Sequence, residues 1–316
     1  MPEHFPLSLK VPVALFSDDT VLGSVGASVR AKVTCQKNPT GSHRSVVGQQ
    51  RSKERSYADA MLDRSAVTQV VLSPHLDDAA LSVGGLIAGA TAAGESILVV
   101  TIAAGSPPPH AIPSPLAASF HRAWGLPSTG AVASRCREDD AAMAILGAEA
   151  MRLEQLDAVY RLPDRYDTEA ALFGEPADED RLEITVIAAL APILAASPRA
   201  LVLAPLAVGG HVDHRIVHRA AISLARQGRE VAFSEDLPYA AKPDAVARRT
   251  AEMGCELEPT TFDIAATLDR KIAAILAYSS QIGSLFGGRE QARSAVAAYA
   301  RSVGRGAPAE RIWRLR

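Results

Sequence analysis

From about Thr68 onward, short continuous apolar runs alternate with longer stretches of helical period, and glycine or proline punctuates the junctions. TQVVLS and SILVVTIAA are β-branched runs of the kind found in strands covered on both faces. AALSVGGLIAGATAAG predicts a helix that stops at Gly94, and CREDDAAMAILGAEA one with Ala141, Ile145 and Ala148 on one side. DEDRLEITVIAALAPILAAS predicts a long helix opened by acidic residues, which its dipole favours. VDHRIVHRAAISLARQG predicts another, ending at Gly228. MRLEQL, RALVLAPLAVGG, REVAFSED and CELEPTTFDI predict further strands, the second running into a glycine loop. GSPPPHAIPSP predicts a proline-rich loop, and LDRKIAAILAYSSQ and REQARSAVAAYARSV the last two helices. This alternation predicts βαβ units and an α/β fold, a Rossmann-like three-layer sandwich with a mostly parallel central sheet.

Residues 1–65 lack this order. VPVALF and ASVRAKVTC have the pattern of short strands, but QKNPTGSHRS and QQRSKERS are polar and turn-rich. They predict a poorly specified extension preceding one domain over residues 66–316. The 48% hydrophobic content, much of it alanine, suffices for a sizeable core. A formal net charge of −2 without long like-charge blocks speaks against nucleic acid or an anionic membrane as partner. Cys35, Cys136 and Cys255 are far apart and form no CxxC pair, which fits a reducing compartment. No apolar run reaches membrane-spanning length, and the first residues are acidic and proline-containing where a signal peptide is basic and then apolar. The expectation is a soluble, cytoplasmic protein, with a homo-oligomer left open.

Two polar clusters stand where predicted strands end. His75, Asp77 and Asp78 follow the first strand; His211, Asp213 and His214 follow the strand before GGHVDH. Ligands bind outside the carboxyl ends of strands in parallel sheets, so the clusters meet if the fold brings their strands together. An open metal site needs three ligands from His, Asp or Glu. The first cluster offers His75 and one carboxylate, and the second a histidine. The remaining aspartate of the Asp77–Asp78 pair suits a general base. Asp213 can orient His211 and favour its charged form, a stabiliser of a developing oxyanion. The plainer alternatives are helix caps for Asp77 and Asp78, and a His214–His218 pair four residues apart on one helix face.

SPHLDDAALSVGG resembles the metal-binding signature of the LmbE-like (PIG-L) zinc N-deacetylases, and GGHVDH resembles their second signature, His-x-Asp-His. RCREDDAAMAILGA, LDAVYR and KIAAILAYSSQ are similar, in order, to the family's Arg-x-x-Glu helix, substrate-side aspartate segment and C-terminal Ser-Gln helix. The resemblance implies His75, Asp78 and His214 as metal ligands for Zn2+, with Fe2+ or another divalent ion as an alternative. It implies Asp77 as general base, His211 supported by Asp213 at the oxyanion, and Arg135 and Asp157 as substrate-binding residues. Read without it, Arg135 and Glu138 make a surface i,i+3 pair and Asp157 a turn or cap. Ala79 stands where the family commonly has Glu, Leu76 where it has Pro, and Val208-Gly209-Gly210 where some members carry a tyrosine. The implied activity is hydrolysis of the N-acetyl group of an N-acetylglucosamine-like sugar or sugar conjugate. Alternatives are a hydrolase of another amide or ester, a nucleotide-binding module using SVGG, and a catalytically silent metal-binding member. Trp124 and Tyr160 read as packing residues, and the loop around Pro107–Pro115 as a specificity lid or a surface connection.

Overall fold

The structure is a computed structural model and describes residues 66–127 and 129–316. The expected extension, with its two short strands, lies outside the described residues. Val67–Ser73 (β1) pairs in parallel with Ser96–Thr101 (β2) on one side and Leu201–Pro205 (β4) on the other. Glu149–Arg152 (β3) continues the parallel sheet beyond β2, and Val231–Ser234 (β5) beyond β4. Two antiparallel strands, Leu257–Asp263 (β6) and Ala309–Leu315 (β7), complete a seven-stranded sheet of order β3-β2-β1-β4-β5-β7-β6. The fold is thus mixed α/β on a mostly parallel sheet, as the alternation predicts.

The helices are Asp78–Ala92 (α1), Pro115–Trp124 (α2), Ala131–Leu146 (α3), Ala158–Arg161 (α4), Glu169–Leu172 (α5), Leu182–Ala196 (α6), Val212–Arg226 (α7), Ala245–Glu252 (α8), Leu268–Ala277 (α9), Ser279–Phe286 (α10) and Arg289–Val303 (α11). Val71, Ile97, Val99, Leu203, Ala232 and Ile312 point to one sheet face, where they share a core with α1, α3, α9, α10 and α11. Val70, Leu98, Val100, Val202 and Phe233 alternate with them onto the other face and are fully buried. Helix α7 packs on β4 and β5 there, backed by α6.

Three departures from the sequence reading have visible causes. The helix expected through KIAAILAYSSQ breaks at Tyr278, whose phenol donates to Asp139 Oδ1 at 2.8 Å. Glu138, on the same helix as Asp139, accepts from the hydroxyls of Ser279 and Ser280, both at 2.7 Å. Those bonds fix the second helix at an angle to the first. Strand β7 was not expected; it lies inside the sheet, between β5 and β6. The proline-rich loop gives way to α2, capped by Ser114 and started by Pro115, the position where a missing amide hydrogen is harmless.

Helix α1 is broken at Val83 (φ −133°, ψ 23°). The amides of Gly85 and Leu86 therefore donate sideways to the carboxylate of Glu310 on β7, at 2.9 and 2.7 Å. The ammonium of Lys271 on α9 completes the arrangement at 2.6 Å from Glu310 Oε1. Both charged residues are buried, so each neutralises the other where water does not reach. Gly85 has a steric reason as well: a Cβ there would come within 2.8 Å of Ile264 Cδ1. This brace anchors the rear of the helix whose front turn carries Asp77 and Asp78.

Candidate metal centre

Because β1 and β4 are adjacent, the two His/Asp clusters face each other at the carboxyl edge of the sheet. Asp78 Oδ2 lies 3.2 Å from His75 Nδ1 and 3.2 Å from His214 Nε2. One ligand atom from each of these residues falls within 4.8 Å of the others. The remaining ring nitrogens are also engaged. His75 Nε2 is 3.0 Å from Asp213 Oδ2, and His214 Nδ1 is 2.6 Å from Asp236 Oδ1. Carboxylates in that position orient a ligating imidazole and raise its basicity.

The capping alternative for the aspartates does not describe what they do. Asp77 occupies the N-cap position of α1, but its side chain makes no cap bond. Ser73 takes over: its hydroxyl accepts from Ala79 N at 3.0 Å and donates to His75 O at 2.6 Å. Asp78 Oδ2 accepts from the His75 amide at 2.8 Å, which sets the turn that Leu76 enters in place of proline. The Asp77 carboxylate instead faces Arg135 Nη2 at 3.5 Å. Burial raises its pKa to about 6, against the opposing pull of Arg135.

Arg135 is not a surface residue. It is 8% exposed, its guanidinium lies 4.9 Å from the centre of the Trp124 ring, and its buried Nε has no hydrogen-bond partner among the described residues. Nor does it pair with Glu138, which is held by Ser279 and Ser280. Asp157 does both things considered for it. Oδ1 caps α4 at Val159 N (3.2 Å), while Oδ2 lies 3.6 Å from His75 Nε2.

Asp213 departs from the expected role. Its carboxylate hydrogen-bonds to His75, the Ala158 amide (3.0 Å) and Arg161 Nη2 (2.6 Å), while a ring nitrogen of His211 lies within 4.8 Å of it without a hydrogen bond. Only its main-chain N–H meets His211, donating to Nδ1 at 3.2 Å. Burial, reinforced by the nearby His75, holds the His211 pKa well below the usual histidine range, so the surroundings favour a neutral ring rather than the charged one expected. With Nδ1 accepting, the ring proton stands on Nε2. His218 does not join His214 as a ligand pair. It turns back to the sheet, with Nδ1 2.9 Å from Pro205 O.

Two residues of this site escaped the sequence reading. Asp236 follows β5 at the same sheet edge and also accepts from Val208 N at 2.8 Å. Its signal was the acidic pair ending REVAFSED, the same strand-then-carboxylate pattern that marks Asp77 and Asp78. Tyr239 supplies an aromatic ring beside the loop before His211, where no tyrosine could be placed in sequence. Gly209 (φ +93°) allows that approach, since a Cβ on it would lie 2.5 Å from Tyr239 Cγ. Phe173 bridges the two, its ring 5.8 Å from that of Tyr239 and 5.3 Å from that of His211.

The PIG-L family profile, described as GlcNAc-PI de-N-acetylase, matches residues 70–225, which hold both clusters. A 2'-N-acetylparomamine deacetylase of Streptomyces fradiae is 37% identical over 67% of this chain and 72% of that protein. The chain belongs to the PIG-L family. Hydrolytic N-deacetylation is the activity this membership carries. Among solved structures, a deacetylase of teicoplanin biosynthesis is 30% identical, with a TM-score of 0.69 over 79% of this chain and 98% of that one. A zinc-inhibited form of teicoplanin deacetylase is 27% identical, with a TM-score of 0.66 over the same shares, 79% and 98%. These relatives are deacetylases by name, one of 2'-N-acetylparomamine and two tied to teicoplanin, and the His/Asp cluster suits a divalent metal. Among the described residues no helix is long and apolar enough to cross a membrane.

Proposed function

We infer that this PIG-L family member is a Zn2+-dependent hydrolase that removes the N-acetyl group of an N-acetylglucosamine-like sugar or sugar conjugate. The observation that carries the reading is the meeting of His75 and His214 at one oxygen of Asp78, with the uncapped Asp77 carboxylate beside them. Two imidazole nitrogens and one carboxylate oxygen are the donor set of an open catalytic site, and the outer carboxylates Asp213 and Asp236 support both rings. Zn2+, or Fe2+ in its place, supplies a Lewis acid that polarises an acyl carbonyl and brings the pKa of a bound water toward neutrality.

The chain's own residues then divide the work. Asp77 takes a proton from the attacking water and returns one to the departing amine. His211 donates from Nε2 to the carbonyl oxygen as charge builds there, a contribution on the scale of about 3 kcal/mol. Arg135, whose Nη2 faces Asp77, is placed to donate to a substrate oxygen, and Asp157, whose Oδ2 faces His75, to accept from a sugar hydroxyl. We further take residues 66–316 as one Rossmann-like domain, and the free thiols of Cys136 and Cys255 as fitting a cytoplasmic enzyme.

Elemental analysis of wild type, His75→Ala and His214→Ala tests the centre. One metal ion per chain, lost in both variants, is the expected result; no stoichiometric metal after reconstitution with zinc refutes it. Asp77→Ala should keep its metal and lose about 10²- to 10⁴-fold in kcat, the range for a general acid–base group.

A further inference from the structure

We propose that a cavity between α7, α8 and the end of β7 binds an organic carboxylate, an anionic head on an apolar body. The inference is independent of the deacetylase reading, and the cavity shares no residue with the candidate metal centre. It holds about 460 Å³, a volume within the range of small-molecule sites. Its apolar lining is Ile222 and Ala225 of α7, Met253 just after α8 and Leu315 at the end of β7.

The charged lining is of one sign. Arg226 and Arg249 both face the space, and among the described residues no Asp or Glu lines it. Arg226, in the last turn of α7, forms no hydrogen bond or ion pair among the described residues. Arg249 is anchored: its Nε donates to Leu206 O at 2.8 Å, and its Nη1 lies 3.5 Å from the carboxylate of the exposed Glu252. Burial and the charge of Arg215 lower the Arg249 pKa, so its surroundings do not fully balance its charge. His218, the buried member of the lining, adds none: burial lowers its pKa to about 4, and Nδ1 is 2.9 Å from Pro205 O. His218 and Arg249 are thus held by the consecutive carbonyls of Pro205 and Leu206. The seat is formed before a ligand arrives, which leaves little ordering cost for binding.

That lining selects the ligand. A carboxylate meets two guanidinium groups, and charge-assisted hydrogen bonds are roughly twice as strong as neutral ones. An alkyl or aryl body against Ile222, Met253 and Leu315 loses only unfavourable hydration. An ammonium group meets like charge. A phosphate dianion fits less well, because the cavity lies at the carboxyl end of α7, where the helix dipole opposes added negative charge. The apolar residues also offer it no side-chain donor.

Cys255, an exposed free thiol on the same lining, supplies a local readout. Hexanoate should slow alkylation of Cys255 by iodoacetamide in the full chain, followed by peptide mass spectrometry, and the midpoint of protection gives Kd. Hexanoate should bind roughly 30-fold more tightly than acetate, the factor for burying about 80 Å² of apolar surface. It should bind about tenfold more tightly than hexanamide, which lacks the charge, and hexylamine should not protect. A carboxylate bound at the metal centre leaves Cys255 unshielded and does not register. Arg226→Gln and Met253→Glu should each weaken hexanoate about tenfold. Arg226 is exposed, so Arg226→Gln should melt like wild type. Absence of protection by hexanoate overturns the site, as does equal protection by hexanamide or hexylamine. Protection unchanged in both variants places hexanoate elsewhere and overturns it too.

Discussion

Glu310→Ala would remove the brace behind the active-site helix, and the structure allows its cost to be worked out. The substitution leaves the Lys271 ammonium, 3% exposed, without a counter-charge. Removing one partner of a buried ion pair costs about 3–5 kcal/mol. It also leaves the Gly85 and Leu86 amides without an acceptor, each worth about 1–3 kcal/mol if they stay dry. These losses share one carboxylate and do not simply add, so about 5 kcal/mol is the expectation. Against a typical total of about 5–15 kcal/mol, that is enough to leave the protein marginal. Urea unfolding followed by circular dichroism measures it; with a slope near 3 kcal/mol per molar, the midpoint should fall by more than about 1 M. Glu310→Gln keeps an acceptor for the amides but not the charge, and should fall between wild type and Glu310→Ala. Lys271→Met added to Glu310→Gln should recover much of the loss, because the stranded ammonium is gone. A midpoint shift below about 0.3 M for Glu310→Ala, or no recovery in the double variant, would refute this account of the helix break.

Three further outcomes follow from the site and its supports. Asp236→Asn should weaken zinc affinity about 10- to 100-fold in chelator competition, since His214 loses the carboxylate that orients it; unchanged affinity would remove Asp236 from the metal centre. Burial lowers the His218 pKa from 6.5 to about 4, so the unfolded chain binds its proton first as pH falls. The stability His218 contributes as a neutral ring is complete above about pH 6.5 and declines toward pH 4, by about 3 kcal/mol in all. A wild-type minus His218→Gln difference in urea stability that stays flat over that window would contradict this. Gly209→Ala should cost about 1–3 kcal/mol and disturb turnover, because it strains a left-handed position and drives Tyr239 off the loop before His211; a thermal melt and kcat measured together test both.

What could be read from the chain and what could not divides along the range of the interactions involved. The strand ends at His75 and His211 are local patterns, a buried run followed within a few residues by ligating side chains, and the parallel topology needed only the alternation of runs. Asp236 had the same local form, but nothing within its own segment tied it to His214, 22 residues away. The helix break at Val83 left even less trace, because AALSVGGLIAGATAAG reads as one helix. Its cause is Glu310, in a strand whose alternation of charged and apolar residues resembles an exposed edge although it lies inside the sheet. The surroundings of His211 have a similar origin: spacing puts Asp213 beside it, but at the start of α7 the carboxylate takes its hydrogen bond from His75.

The same brace sets an order of events during synthesis. Every candidate ligand, from His75 to His214, and the supporting Asp236 leave the ribosome well before Glu310 does. The contact between Glu310 and Gly85 spans 225 residues, and such distant pairings form late. A nascent chain can therefore hold all the metal-binding groups while Gly85 and Leu86 still lack their acceptor and β5 has an open edge. Such a chain would be prone to capture metal in a loose site, or to pair its exposed strand with a neighbour. Arrival of β7 closes the sheet edge and fixes the catalytic helix in the same step, so quality control of the fold and of the active site depends on one late strand.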